Sequence, residues 1–473
     1  MFKILLRITG YLALAATLSS CSSMSFTDIF SGYNKQMRPV YNAQLRGDYA
    51  LAQSLIQPRS SSDGTYTLGL LETARLQYLN QHWPESEKTF TLASEQIQQA
   101  QQQAKIQLSR GVENVGAVVS NDNALRYDVP YYEQSMLHSF QALNYLYQQQ
   151  YEGALVEVRR ANLVQEQALM ANQESLHDAQ QKMTSNGINV DSFNKSYPSM
   201  ATTIGKVKNG FQNAYTFYLS GVLYEGAGQF NDAYIDYKRA LEIYPSNQFL
   251  QQDVLRLAHG LSMTDDISRF EQRFGKYNNQ ANNNSGQLVL LLEDGIISPK
   301  DEISINLPIF SHHRDMRFYS VSLPVYRANN RPRTPLTLTV NDQSYQSQEI
   351  VRLDALAAKH LKDQLPAMVV RQALRLVAKE EMRQQMSRKG GDVGHILASL
   401  YNIASENADT RSWSTLPDNV QLIRLNLSEG KHQITLQQNG RSKVVDVNIT
   451  ANRITLINTI STGSQLEQKI TTL

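Results

Sequence analysis

The chain changes its hydrophobic rhythm once. From about residue 37 to 275, apolar residues recur three and four apart among abundant Gln, Glu, Ala and Leu, which is the period of a helix with one buried face. From about 286 onward the period shortens. Segments 287–293, 318–326, 336–340, 420–427, 433–438, 443–449 and 453–460 are rich in Val, Ile, Leu, Thr and Tyr and are separated by turn residues, so they read as strands. Asn439-Gly440 between two of them predicts a tight hairpin. The run 276–285, with five asparagines, separates the two textures and reads as a linker. Inside the strand region, 353–388 returns to helical spacing, with Leu356, Leu361, Leu365, Val369, Val370, Leu374 and Val377 as its apolar set. Pro366 predicts a kink there, Gly390-Gly391 an end, and 396–405 a further short helix. The expected fold is therefore α+β and multidomain. A helical domain over 37–275 precedes a β-sandwich-like domain over 286–473 that carries a helical insertion at about 353–405.

The helical part repeats. Phe217-x2-Ser220-Gly221-x2-Tyr224-x8-Ala233-x3-Tyr237-x2-Ala240-x4-Pro245 resembles the tetratricopeptide pattern. Gly221 and Ala233 are small where two antiparallel helices would cross, and Tyr224 and Tyr237 are large beside them. Weaker copies run through Leu70, Ala74, Gln77, Ser86, Phe90 and Ala93, and through Ala142, Tyr145, Ala154, Val158 and Ala161. Ser86 and Ala154 lie 68 residues apart, but the text between them does not match the pattern, and the spacing reads as coincidence. Residues 155–184 read as one long polar helix and 186–198 as a loop. In such a solenoid the first helix of each hairpin lines a concave groove. For the best copy that helix presents Tyr215, Tyr218, Val222 and Glu225, a surface suited to an extended peptide or a partner helix.

Cysteine use adds a location. Cys21 is the only cysteine in 473 residues. Before it stand a short basic start with Lys3 and Arg7, an apolar core from Leu5 to Ala16, and Leu18-Ser19-Ser20. Leu-Ser-Ser-Cys resembles the bacterial lipobox, which implies removal of residues 1–20 and acylation of Cys21, with 21–36 as a lipidated tether. Several acyl chains anchor firmly, at about 0.8 kcal/mol per buried CH₂. Neutral Ser22 and Ser23 favour the outer membrane, with the protein facing the periplasm. Removing Lys3 and Arg7 leaves 43 basic and 43 acidic residues, a balance that gives no reason to expect a nucleic-acid partner.

Few residues suggest chemistry. The sequence has no Gly-x-Ser-x-Gly, His-Glu-x-x-His, phosphate-loop or dinucleotide fingerprint. His312-His313 with Asp315 make a poor chelate on a strand, where neighbours point to opposite faces. Gly390–Gly394 reads as a helix cap and loop. No catalytic residue, metal or cofactor is expected. Two clusters have two readings each. Asp409-Thr410-Arg411-Ser412-Trp413 pairs an arginine with one of two tryptophans, residue types that dominate binding surfaces. Alternatively it is an aromatic plug with Arg411 paired to Asp409. The tyrosines of Tyr127-Asp128-Val129-Pro130-Tyr131-Tyr132-Glu133 either line a peptide groove or pack against the next hairpin.

Three blocks together carry a family resemblance: Tyr132-Glu133-x4-His138-x-Phe140-x-Ala142-Leu143-Asn144-Tyr145, then Phe211-Gln212-Asn213 with Tyr218, Gly221 and Tyr224-Glu225, then Asp409–Pro417. The chain resembles a family of tetratricopeptide-containing lipoproteins of Gram-negative γ-proteobacteria, over nearly its whole mature length. Members are often encoded near lipoproteins that resemble penicillin-binding protein activators, and the resemblance implies no activity. The expectation is a non-enzymatic, lipid-anchored scaffold that binds envelope proteins in cell-wall synthesis or envelope assembly. Its contacts would be Tyr215, Tyr218, Val222 and Glu225, with Arg411 and Trp413 as a second surface. The alternative is an envelope enzyme or carbohydrate-binding protein whose β-domain gathers Arg411, His395 and carboxylates such as Glu380 or Asp409 in a cleft.

Overall fold

A computed structural model describes residues 32–109, 126–185, 190–277, 284–310, 316–328, 331–376, 407–463 and 465–473. The signal segment and Cys21, the middle of the asparagine run, His312, His313, Asp315, Glu380, Gly390–Gly394, His395 and 396–405 lie outside them.

The helical part is a row of antiparallel hairpins. They are α1 (Tyr33–Leu45) with α2 (Tyr49–Ser54), α3 (Tyr66–Leu79) with α4 (Trp83–Ser109), and α5 (Tyr131–Tyr147) with α6 (Tyr151–Ser185). After short helices α7 (Val190–Ser196) and α8 (Ala201–Ile204) come α9 (Ala214–Gly226) with α10 (Phe230–Ile243), then α11 (Gln248–Gly260) with α12 (Thr264–Phe274). Each hairpin turns through one residue in the left-handed region: Gly47, Gln81, Gln149, Gly228 and Ser262. Gly47 and Gln81 are 34 residues apart, as are Gly228 and Ser262, and Gln81 and Gln149 are 68 apart. A 34-residue period is that of the tetratricopeptide hairpin. The 68-residue spacing of Ser86 and Ala154 is therefore no coincidence, since each stands five residues after its turn. All three sequence-derived repeat copies are hairpins. Two boundaries shift: α1 starts at Tyr33, inside the stretch assigned to the tether, and α7 occupies part of the expected loop.

Gly221 holds the crossing of α9 and α10. A Cβ there would stand 2.5 Å from the Tyr237 ring. In the earlier hairpins Ala74 and Ala142 stand where Gly221 does, seven residues before the turn, and Ser86 and Ala154 stand where Ala233 does; the Ser86 hydroxyl donates to the Ala74 carbonyl at 2.8 Å.

The strands form a sandwich. A five-stranded sheet has the order β11-β10-β1-β7-β6, and a four-stranded sheet the order β5-β4-β8-β9. The strands of the first are β1 (Ser285–Asp294), β6 (Gln348–Arg352), β7 (Asn419–Ser428), β10 (Ile454–Thr462) and β11 (Gln465–Thr472). The second comprises β4 (Thr337–Val340), β5 (Gln343–Gln346), β8 (Gly430–Gln438) and β9 (Arg441–Ile449). β2 (Asp301–Phe310) and β3 (Met316–Val325) make a separate hairpin. The expected turn is present at Asn439-Gly440, both with positive φ. The helix within the strand region, α13, spans 353–376 and runs through Pro366.

Side chains alternate across a strand, so the five-stranded sheet has two apolar faces. Leu288, Leu290, Leu292, Ile423, Leu425 and Ile457 meet the four-stranded sheet through Leu336, Leu338, Ile434, Leu436 and Val447. The opposite residues, Val289, Leu291, Val420, Leu422, Leu456 and Ile460, belong to one continuous core with the helices, including Leu71, Phe140, Tyr215, Tyr218 and Val222. The architecture is therefore three layers: sheet, sheet, helical hairpins. The change from helix to strand falls between Phe274 and Ser285, as expected, yet the two regions share a core.

Candidate functional site

The concave face of the hairpin array is covered by the chain's own sheet. Tyr215, Tyr218 and Val222 are completely buried and Glu225 is nearly so. The residues expected to line an open partner groove are therefore interior residues. The physical reason lies in the sheet, whose second apolar face packs on these helices.

Polar residues key the layers together. Arg424, on the helix-facing side of β7, is buried. Its guanidinium donates to both Glu225 carboxylate oxygens at 2.9 Å and to the Tyr237 hydroxyl at 2.9 Å, and its Nε lies 3.2 Å from Asp253. Arg256 donates to Glu225 at 2.7 and 3.0 Å and to Asp253 at 2.9 Å. The Tyr218 and Tyr237 hydroxyls donate to Asp253 and Glu225 at 2.9 and 2.8 Å. Burial by itself would push Glu225 up, but Arg424 and Arg256 outweigh it and hold the carboxyl down at about 2. The groove tyrosine and acid read from the sequence do make contacts, but with this chain.

A second key joins α3 to β1. Arg75 pairs with Glu293 in the interior, beneath Phe140, whose ring centre is 4.2 Å from the guanidinium. Asn458 on β10 donates to Glu293 at 3.1 Å and to the Tyr78 hydroxyl at 2.7 Å.

The third key is the 407–418 segment, threaded between helices and sheet. The Trp413 ring is fully buried, edge-on to Phe90 and Phe140 at 5.9 Å each, and its Nε1 donates to Thr415 Oγ1 at 2.9 Å. Two buried helix carboxylates receive the segment's backbone. Glu133 accepts from Trp413 N at 3.1 Å and from the Tyr127 and Tyr132 hydroxyls at 2.8 and 3.0 Å. Glu72 accepts from Ser414 N and Oγ at 2.7 Å and from Thr415 N at 3.0 Å. Burial pushes Glu133 up to about 7 despite these donors and nearby Lys300. Arg411 is buried and makes a two-pronged pair with Asp409 at 2.7 and 2.8 Å, and the half-buried Lys300 donates to the Arg411 carbonyl at 2.7 Å. Arg411 and Trp413 thus form the plug, not an exposed binding surface, and the Tyr127–Glu133 stretch packs inward.

Sequence reasoning missed Glu72, Arg75, Glu293 and Arg424. The described residues contain no group of three or more His, Cys, Asp or Glu side chains arranged to hold a metal, and no helix among them is long and apolar enough to cross a membrane. Two small clefts lie among them. One is lined by Tyr33, Gln36, Met37, Ile56 and Arg59, another by Trp83, Tyr147, Glu467 and Lys469.

The geometry defines a tetratricopeptide-like hairpin array whose concave face is filled by a β-sandwich of the same chain. No protein-family model matches this chain, and no curated protein does. Among solved structures, the TPR2AB-domain:pHSP90 complex of yeast Sti1 is matched over 50% of this chain and 88% of that chain. The identity is 11% and the TM-score 0.19, a likeness too slight to carry an argument.

Proposed function

We propose that this chain is a lipid-anchored scaffold of the bacterial envelope. Cys21 is acylated and holds the protein at the outer membrane, facing the periplasm, and the folded part works by binding other envelope proteins in cell-wall synthesis or envelope assembly. Leu18-Ser19-Ser20-Cys21 supports the anchor. The observation that carries the binding reading is the fusion of sheet and hairpins over one core, which makes a rigid frame and leaves the outer helices of the hairpins open to solvent. Two of the residues that an enzymatic β-domain would need are engaged with each other. Arg411 donates to both Asp409 carboxylate oxygens, while His395 and Glu380 lie outside the described residues.

The test uses the full chain with a C-terminal tag in a γ-proteobacterial host. A fatty-acid analogue should label the wild type and not Cys21→Ser. Capture from detergent-solubilised envelope should retain a defined set of envelope proteins in stoichiometric amounts. Labelling that persists without Cys21 overturns the anchor. Capture of nothing but the bait, together with a hydrolytic activity of the purified chain, overturns the scaffold.

A further inference from the structure

The long helix α6 presents an apolar stripe to solvent. Its inner face is fully used, with Ala154, Leu155, Val158, Ala161 and Ala168 buried in the hairpin array. On the outer face, Val156, Leu163 and Met170 are 41, 52 and 77% exposed. They are seven residues apart, and seven residues fall only about 20° short of two helical turns, so the three side chains share one line. They fill one of the two inward positions of a heptad seam, and Arg159 and Glu166, three residues on, stand at the other.

We propose that this face of α6 is a self-association surface, on which two copies of the chain pair antiparallel about a two-fold axis beside Leu163. The charges flanking the stripe favour a second copy in that orientation. At about 100° per residue, Arg159 and Glu166 lie on one flank of the Leu163 line, and Arg160 and Gln167 on the other. Arg159 precedes Leu163 by four residues and Glu166 follows it by three. Reversing the second helix about Leu163 sets Val156 against Met170 of the second copy, Leu163 against Leu163, and Arg159 beside Glu166 of the second copy, twice over. Arg160 falls beside Gln167 on the opposite flank. A parallel pair would instead set Arg159 level with Arg160 of the other copy, like against like. The flanking groups are within reach. The Arg160 side chain is 51% exposed while donating to Glu157, and Glu166 is 48% exposed while receiving Arg239. The Glu166–Arg239 pair is solvated on both sides and costs little to share with an incoming charge, whereas Arg160 is held to the buried Glu157 and Arg159 rests 5.9 Å from the Tyr224 ring centre. A seam of this kind is isologous, so it closes at two copies.

Sedimentation velocity of the full chain in detergent reads the assembly state. The wild type should sediment as two copies and Leu163→Glu as one, with unchanged circular dichroism because Leu163 faces outward. Arg159→Glu and Glu166→Arg singly should each shift the equilibrium toward one copy, and the two together should restore the pair. Geometry is read by disulfide trapping. A mixture of Val156→Cys and Met170→Cys chains should cross-link, neither should cross-link alone, and wild-type chain shows what Cys21 contributes. A single-copy mass for the wild type overturns the proposal. So does cross-linking of Val156→Cys to itself, which would mean a parallel pair, or trapping of these cysteines only on a different envelope protein.

Discussion

Arg424 is the side chain whose loss should be felt most widely, because it is the one cation that β7 sends into the helical layer to meet Glu225 and Asp253 together. Arg424→Met keeps the aliphatic stem and removes the charge and its hydrogen bonds to Glu225 and Tyr237. Two routes give the magnitude. Breaking a buried ion pair from one side typically costs about 3–5 kcal/mol. The fall of Glu225 from 4.5 to about 2 corresponds to about 3 kcal/mol of folding free energy, shared between Arg424 and Arg256. These are two views of one interaction and do not add, so about 3 kcal/mol is expected. The unfolding entropy of a 473-residue chain is about 1 kcal/mol per kelvin, so the melting midpoint should fall by about 3 °C at pH 7.

The pH dependence separates this cause from a packing defect. A carboxyl depressed in the folded state contributes stability above its unfolded value, here about 4.5, and that contribution is lost as pH falls through about 2. The variant has less of it to lose, so the gap between wild type and Arg424→Met should hold from pH 7 to about 4.5 and narrow as pH falls from there towards about 2. Arg424→Met with Glu225→Gln should recover part of the loss, since no unpaired acid then remains beside Arg256. Calorimetry of the purified chain across this pH range is the assay. A midpoint unchanged within about 1 °C at pH 7, or a gap that stays constant on acidification, would refute the reasoning.

Three further outcomes follow from the packing. Gly221→Leu should destabilise by at least the about 1–3 kcal/mol typical of overpacking, because even a Cβ meets the Tyr237 ring at 2.5 Å; an unchanged melting curve would contradict the helix crossing. Trp413→Ala should cost about 3–5 kcal/mol, the range for truncating a buried aromatic, and near-ultraviolet circular dichroism should report the lost contacts with Phe90 and Phe140. A protease site introduced between Asn279 and Asn283 and then cut should leave the two halves co-eluting on gel filtration, because they share a core; halves that separate without denaturant would mean the interface is weak.

Much of the fold was legible because it is written in local periodicity. The three hairpin copies, the Asn439-Gly440 turn and the strands with strong apolar alternation all rest on residues close in sequence. β5, β6 and β11 were missed for the converse reason, whereas β2 was missed although Ile303, Ile305, Leu307 and Ile309 alternate along it, with Pro308 interrupting the run. Gln465-Leu-Glu-Gln-Lys-Ile-Thr-Thr472, for example, is a polar edge strand whose pairing with β10 depends on a partner and not on its own pattern. The three keys were illegible for the same cause at longer range. Arg75 meets Glu293 across 218 positions, and Glu72 meets Ser414 across 342. A lone acid on a helix carries no mark of the backbone amides it will receive.

The covering of the groove did leave a trace in the sequence. A helix with one open side should show a polar stripe. α9 shows none: Ala214, Tyr215, Phe217, Tyr218, Leu219, Val222, Leu223 and Tyr224 surround its axis, and every residue from Ala214 to Glu225 is buried. α5 is alike, with all but Tyr131, Tyr145 and Tyr147 buried. On the strand side, Leu288-Val289-Leu290-Leu291-Leu292 is an unbroken apolar run, the signature of a strand buried on both faces. Helices without a wet side and a strand without a wet side each need a neighbour, and in this chain each is the other's. The outer helices differ in kind. α10 buries only Ala233, Tyr234, Asp236, Tyr237, Ala240 and Leu241, and α6 leaves Val156, Leu163 and Met170 exposed. Among the described residues, the surface left to a partner is therefore the convex side and the sandwich, while the concave side, where the tyrosines first suggested a peptide groove, serves to hold the frame together.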